Sequence, residues 1–286
     1  MPAPAVFPLL RQIKPVFLVL LLLSHWPKAW TLEVSIADPN TTPSQLVIVM
    51  DDLGNNLATG RRAIDLPGAV TYAILPHTPA AKKLAYYAAS IAKKKEVIIH
   101  MPMEAKNIKS SHTDGLAISL DRNDFVLKLQ EAIEQVPFAK GLSNHMGSRL
   151  TQMNDQMQWL MIELEKRDLY FVDSKTTGKS VAMAAANEQQ VPYLARDIFL
   201  DHDPSPEAIH RAFENALSMA KQTGMAVLIC HPYPTTLDYL EQKLPQLDKN
   251  AISLATVSTV LSQSATSSTS TKGASRKLSV LATSQE

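Results

Sequence analysis

One cysteine, Cys230, stands in 286 residues, so no intramolecular disulfide can form and the fold must rest on its apolar core. That cysteine closes the apolar run AVLIC, which reads as a buried and unreactive thiol. A strong excess of charge is also missing. The formal net charge is +1, and Arg11, Lys14 and Lys28 precede Thr31 with no acid among them, so the remainder is slightly acidic. No basic stripe is present to attract a nucleic acid. No apolar run is long enough to span a bilayer comfortably. The run PVFLVLLLL, Pro15 to Leu23, has instead the length of a signal-peptide core and follows the positive Arg11 and Lys14. Residues 1–30 are therefore expected to be a signal peptide. An uncleaved N-terminal anchor is the alternative, because SHWPKAWT lacks a small-x-small cleavage pattern. Both readings export the remainder, with the periplasm as the expected compartment, and a membrane is a partner only if the segment stays uncleaved. Also absent are a G-x-S-x-G elbow, a P-loop, a G-x-G-x-x-G after a strand, and any internal repeat.

What is present is an alternation. Seven apolar, β-branched or aromatic runs read as strands: QLVIVMDD, AVTYAILPH, KEVIIHMPME, KGLSNHMGS, LYFVDSKTT, ARDIFLDHD and MAVLICHPYPTT. Amphipathic helical stretches such as AAKKLAYYAASIAKKK, DRNDFVLKLQEAIEQV, NDQMQWLMIELEKRD and SPEAIHRAFENALSMAKQTG lie between them. The last ends at Gly224, the expected C-cap. This pattern predicts a parallel α/β architecture, either an open doubly wound sheet or a closed barrel, as a single domain over residues 46–261. Residues 262–286 are rich in serine and threonine without helical period and are expected to form a disordered tail.

Nearly every predicted strand ends in residues able to do chemistry: Asp51 and Asp52, His77, His100, Asn144 and His145, Asp173 and Ser174, Asp201 and His202, and His231. Parallel strands put their C-terminal ends on one side, where α/β folds build their sites. Two adjacent carboxylates at the end of a buried strand repel unless something positive holds them. The bland reading is a turn, which Asp, Gly and Asn all favour. The sharper reading divides the work, one aspartate binding a divalent metal and the other acting as a general base. His100 and His145, each at a strand end, are the further ligands expected. One carboxylate and two imidazoles with an open position describe a zinc-type centre. Glu104 reads equally as a ligand, a supporting partner or a solvated acid. His231, between Cys230 and the prolines Pro232 and Pro234, suits a general acid or an oxyanion stabiliser. Asn144, Ser148, Arg149, Asp173, Ser174 and Thr176 offer donors and acceptors for a polar ligand. Asp201 is a candidate support, while His202 and Asp203 read as loop and helix-cap residues and His77 and His112 as surface or structural histidines.

The ordered set IVMDDLGNN, IIHMPME, GLSNHMGSRLT, YFVDSKTT, IFLDHD and CHPYPTT resembles the divergent polysaccharide deacetylases. These are exported proteins distantly related to the chitin- and peptidoglycan-deacetylase kind of carbohydrate esterase. The resemblance implies a distorted seven-stranded β/α barrel and metal-dependent removal of acetyl groups from a polysaccharide or oligosaccharide. It also implies Asp51 as base, Asp52 as metal ligand and His231 as acid. Departures from the better-studied deacetylases are visible: Glu104 stands where their third strand carries a second histidine, His145 has no direct counterpart, and the arginine-proline-tyrosine segment is missing. Within the divergent family, Cys230 replaces the usual glycine. The reading of another class is a non-catalytic envelope module that binds glycan or protein on the same barrel. Hydrolysis of a glycosidic bond is disfavoured, because adjacent carboxylates cannot flank a sugar.

Overall fold

In the computed structural model the described residues are 43–90, 92–106 and 114–264. The expected leader, His112 and all but the first residues of the expected tail lie outside them. None of the helices among the described residues is long and apolar enough to cross a membrane.

All seven predicted strands are present, as β1 (Ser44–Leu53), β2 (Thr71–Ile74), β3 (Glu96–Met103), β4 (Gly141–Met146), β5 (Tyr170–Asp173), β7 (Ile198–Phe199) and β8 (Met225–Cys230). Two short ones join them, β6 (Tyr193–Ala195) and β9 (Ile252–Ala255), so the count of seven is corrected to nine. All pairings are parallel, in the order β6-β5-β4-β3-β2-β1-β8-β7. β9 pairs with Ser44–Val47 of β1, on the edge that β2 takes over from Val49 onward. The result is a curled, all-parallel sheet of the distorted-barrel kind. Its two ends, β6 and β7, are not hydrogen-bonded to each other and are joined by Arg196 and Asp197 alone. The amide of Arg196 reaches back to Asp173 O and that of Asp197 to Val227 O. The predicted strand ARDIFLDHD breaks at this seam because its two halves pair with different neighbours.

Strand alternation sorts the apolar residues into two cores. Val47, Val49, Ala73, Ile98, Tyr170, Val172, Val227 and Ile229 form one buried cluster inside the curl. Leu46, Ile48, Met50, Ile99, Leu142, Phe171 and Leu228 face the helices in the other. Each aliphatic side chain so buried contributes about 1.5–3 kcal/mol. The helices are α1 (Leu57–Ile64), α2 (Ala81–Ala89), α3 (Arg122–Gln135), α4 (Asn154–Glu165), α5 (Ala182–Glu188), α6 (Pro206–Thr223) and α7 (Pro234–Lys243). Their ends follow the sequence: Asp121 accepts from Asp124 N at the start of α3, and Pro206 opens α6. Gly224 closes α6 at φ 88°, its N–H bonded to Ala220 O.

A helix at 257–264 runs past the expected domain end at Leu261 and closes the inner core from the strands' N-terminal side. Val257 and Val260 pack into the inner cluster. Its first amides are held by Thr71 Oγ1 and by Glu96, whose carboxylate also accepts from Thr71, Tyr170 and Ser258 hydroxyls. A carboxylate at a helix N-terminus is where the helix dipole favours it.

Candidate metal centre

The same alternation determines which side chains reach the open end of the curl. Val47 and Val49 lead to Asp51, Ile98 leads to His100, and Val227 and Ile229 lead to His231, two residues apart each time. On β4, Ser143 and His145 share a phase, and Ser143 is paired with His100. Asp52 is out of phase with Asp51. It nevertheless turns to the same rim, because the register against β2 shifts between Met50 and Leu53 and the backbone at Asp52 takes a φ of 59°. A bulge of this kind re-aims one side chain, and aspartate tolerates the left-handed conformation better than most residues. After His145, Met146 and Gly147 turn left-handed at φ 56° and 85°, so the chain leaves the rim at once. A Cβ on Gly147 would come within 3.1 Å of Met103 Cβ, so this glycine lets the neighbouring strand approach closely.

Three ligand atoms converge there. Asp52 Oδ1 lies 2.8 Å from His145 Nδ1 and 3.2 Å from His100 Nε2, and the two ring nitrogens are 3.2 Å apart. Imidazole and carboxylate ligands bond zinc at about 2.0–2.2 Å, which sets ligand atoms roughly 3 Å apart. The spacing fits. Asp52 Oδ1 is buried, with the two imidazole nitrogens at ion-pair length as its nearest polar neighbours. His100 is fixed from behind by Ser143 Oγ at 2.7 Å from its Nδ1, the kind of support that orients a ligating imidazole. Glu104 is not part of the group: it pairs with Arg149 at 2.8 Å and accepts from Ile118 N, tying two loops together.

The electrostatics divide the two aspartates. Burial pushes the Asp51 carboxyl well above its ordinary range, and the charges of Asp52 and Asp201 add to this, with Arg196 opposing. Burial acts the same way on Asp52, but the imidazoles of His100 and His145 prevail and hold its carboxyl well below the usual carboxylate range. Burial lowers His100 to about 4 against the pull of Asp52, so this ring is neutral near pH 7, as a ligand must be.

His231 stands at the other side of Asp52, with Nε2 3.8 Å from Asp52 Oδ2. Its Nδ1 lies 2.9 Å from Asp201 Oδ1, its backbone N–H donates to Asp201 Oδ2 at 2.7 Å, and Thr236 donates to the same oxygen. Phe199 stacks on one side of the ring and Tyr233 tilts against it, while the Arg196 guanidinium lies 4.6 Å from the Phe199 ring. Burial alone would lower the His231 pKa, but the Asp201 carboxylate outweighs it and raises it. Replacing Asp201 by asparagine is therefore expected to bring this pKa back down, since burial then acts against a weaker partner. The C2-proton resonance of His231 followed against pH by NMR measures it, and an unmoved titration would detach Asp201 from the role.

The remaining sequence candidates are placed as follows. Asn144, out of phase with His145, donates to Met146 O and accepts from Ser174 N. Asp173, out of phase with Val172, accepts from Lys175 N, Ser180 and Tyr193 on the outer side of the sheet. Ser148 accepts from Lys106 N, and Thr176 donates to Met146 O. Ser174 is in phase with Tyr170 and Val172 and is buried at the rim. His77 and His202 are exposed, and Asp203 accepts from Ser205 N ahead of α6. Sequence reasoning missed Ser143, Thr236, Phe199 and Arg196. Only strand register or the seam reveals them, apart from Ser143, which the two-residue step to His145 marks.

The profile described as divergent polysaccharide deacetylase matches residues 48–261. The chain is 32% identical over 219 residues to the uncharacterised protein YibQ of Escherichia coli K12, covering 77% of this chain and 68% of that protein. Among solved structures, an uncharacterised protein from Agrobacterium tumefaciens C58 superposes with a TM-score of 0.73 at 19% identity, covering 77% of this chain and 90% of the other. Peptidoglycan deacetylase PdaC from Bacillus subtilis superposes with a TM-score of 0.50 at 14% identity, covering 84% and 98%. These two likenesses are of fold.

Proposed function

The chain belongs to the divergent polysaccharide deacetylase family, and from that premise and the rim geometry we propose that it is a metal-dependent hydrolase releasing acetyl groups from an envelope or extracellular polysaccharide. The observation that carries the reading is the convergence of Asp52, His100 and His145 next to a histidine held by a buried carboxylate. Two imidazole nitrogens and one carboxylate oxygen suit a divalent transition ion, zinc being the one tested below. Such an ion, when bound, supplies positive charge that polarises an acyl carbonyl and acidifies water.

The chain's own residues supply the rest. Asp52, His100 and His145 would hold the ion, and Ser143 keeps the His100 ring in place. Asp51 takes a proton from the attacking water. His231, kept protonated to higher pH by Asp201, gives a proton to the departing sugar nitrogen or oxygen. The acyl C–N or C–O bond breaks, the water oxygen ends on acetate, and the sugar leaves with the proton. The charged and apolar segment at 1–30 supports action outside the cytoplasm, where such polysaccharides lie.

The test is elemental analysis of the purified protein together with acetate release from an acetylated oligosaccharide, before and after a chelator and after adding zinc. About one ion per chain and chelator-sensitive, zinc-restored acetate release are expected. Protein that takes up no zinc and releases no acetate would leave the glycan- or protein-binding module in possession of this fold.

A further inference from the structure

Among the described residues, three buried side-chain oxygens have no hydrogen-bond partner, and all three lie at the same rim: Asp51 Oδ1, Asp52 Oδ1 and Ser174 Oγ. The first two belong to the base and to the metal ligand of the function proposed above. The third is unexplained by it. A buried hydroxyl without a partner is unfavourable in the folded state and asks for one.

The main chain of Ser174 is gripped from both neighbouring walls. Its N–H donates to Asn144 Oδ1 at 2.9 Å, and its carbonyl accepts from Arg196 Nε at 2.8 Å. Arg196 sits on the seam between β6 and β7, also donates to Lys175 O, and lies over Phe199. These contacts fix the position of the residue but leave its hydroxyl unused. Tyr170 and Val172 point into the inner core, and Ser174, the residue after the end of β5, is the next position if that alternation is carried one residue on. The pairing of Ser143 with Val172, carried two residues further, brings Ser174 level with His145. On that extended register the buried hydroxyl lies on the inner rim beside a candidate metal ligand. Asn144 and Asp173, one residue out of phase, have their polar atoms engaged by the protein itself.

We propose that Ser174 Oγ–H donates a hydrogen bond to an oxygen of the bound acetylated sugar, making Ser174 a substrate-specificity contact preorganised by Asn144 and Arg196. This rests on the deacetylase reading. A hydroxyl buried without a partner discriminates well, because any ligand lacking the matching acceptor leaves it unmade.

Ser174→Ala and Ser174→Cys in the zinc-loaded protein test it, with p-nitrophenyl acetate and an acetylated oligosaccharide as substrates. Ser174→Ala is expected to lower kcat/KM about 10-fold, the loss of one ordinary hydrogen bond, with Ser174→Cys, a weak donor, in between. Metal content should not change and Tm should hold or rise, because an unsatisfied buried group has been removed. Loss on both substrates assigns the contact to the acyl oxygen, and loss on the oligosaccharide alone assigns it to a sugar hydroxyl. A purely structural hydroxyl, or one occupied by water only, behaves in the opposite way: Tm falls and kcat/KM of the folded protein stays at the wild-type value. That outcome overturns the contact while the deacetylase reading stands. Wild-type protein that releases no acetate from either substrate overturns both.

Discussion

Asp52→Asn is expected to abolish metal loading and, with it, hydrolysis. An amide oxygen carries no charge and is a far weaker ligand, and even substitutions one shell further out usually cost 10–100-fold in metal affinity. A loss of at least about 100-fold in zinc affinity is the expected result, read by competition with a chromogenic chelator. The substitution acts on the group itself rather than on the fold around it. Asp52 is part-exposed at the rim, its backbone is already in the left-handed region, and asparagine is the residue best able to replace aspartate there. Circular dichroism and Tm of the metal-free protein should stay near wild type. Wild-type zinc affinity in this variant would remove Asp52 from the ligand set and return the aspartate pair to an ordinary turn.

Asp51→Asn should separate binding from chemistry. The side chain is almost fully buried and its carboxyl is raised by burial first and by neighbouring Asp52 and Asp201 second, so an uncharged amide of equal size suits the site. Stability should therefore hold or rise, and the three ligand atoms, none of which belongs to Asp51, should load zinc as before. What disappears is the base. Removing a general base typically costs about 10²–10⁴-fold in rate, and that fall in kcat at unchanged metal content is the signature expected. A variant as fast as wild type would show that some other group accepts the proton. Measured together, the two variants answer why two carboxylates stand side by side. One is held low by two imidazoles, the other is raised by burial, and the bulge at Asp52 lets both face one place.

The seven main strands and the rim at their ends were readable because strands buried on both faces advertise themselves as apolar runs, and each run here stops on a polar residue. That one aspartate would join His100 and His145 followed from that rim, while the choice of Asp52 over Asp51 came from the family resemblance. Which face of each strand looks inward was not readable. Phe171 and Val172 are equally apolar, so nothing in the run itself separates Asp173, which points out, from Ser174, which points in. Nor was the bulge at Asp52 visible, since a one-residue shift in register leaves composition untouched. β6 and β9 were missed for a different reason: three and four residues carry too little pattern, and they are strands only because β5 and β1 have edges for them. Asp201 could be suspected from its place near a strand end, but its bond to His231 depends on β7 and β8 lying side by side, which is a matter of topology.

β1 begins at Ser44, hydrogen-bonded to Ala251 O, on the side of the sheet that the helix at 257–264 closes. At about 3.3 Å per residue, Asp51 stands roughly 23 Å further along the strand. The start of β1 thus lies at the end of the strand opposite the candidate metal centre. A probe attached at the start of β1 would therefore leave the side chains at the strand's other end, Asp51 and Asp52, untouched.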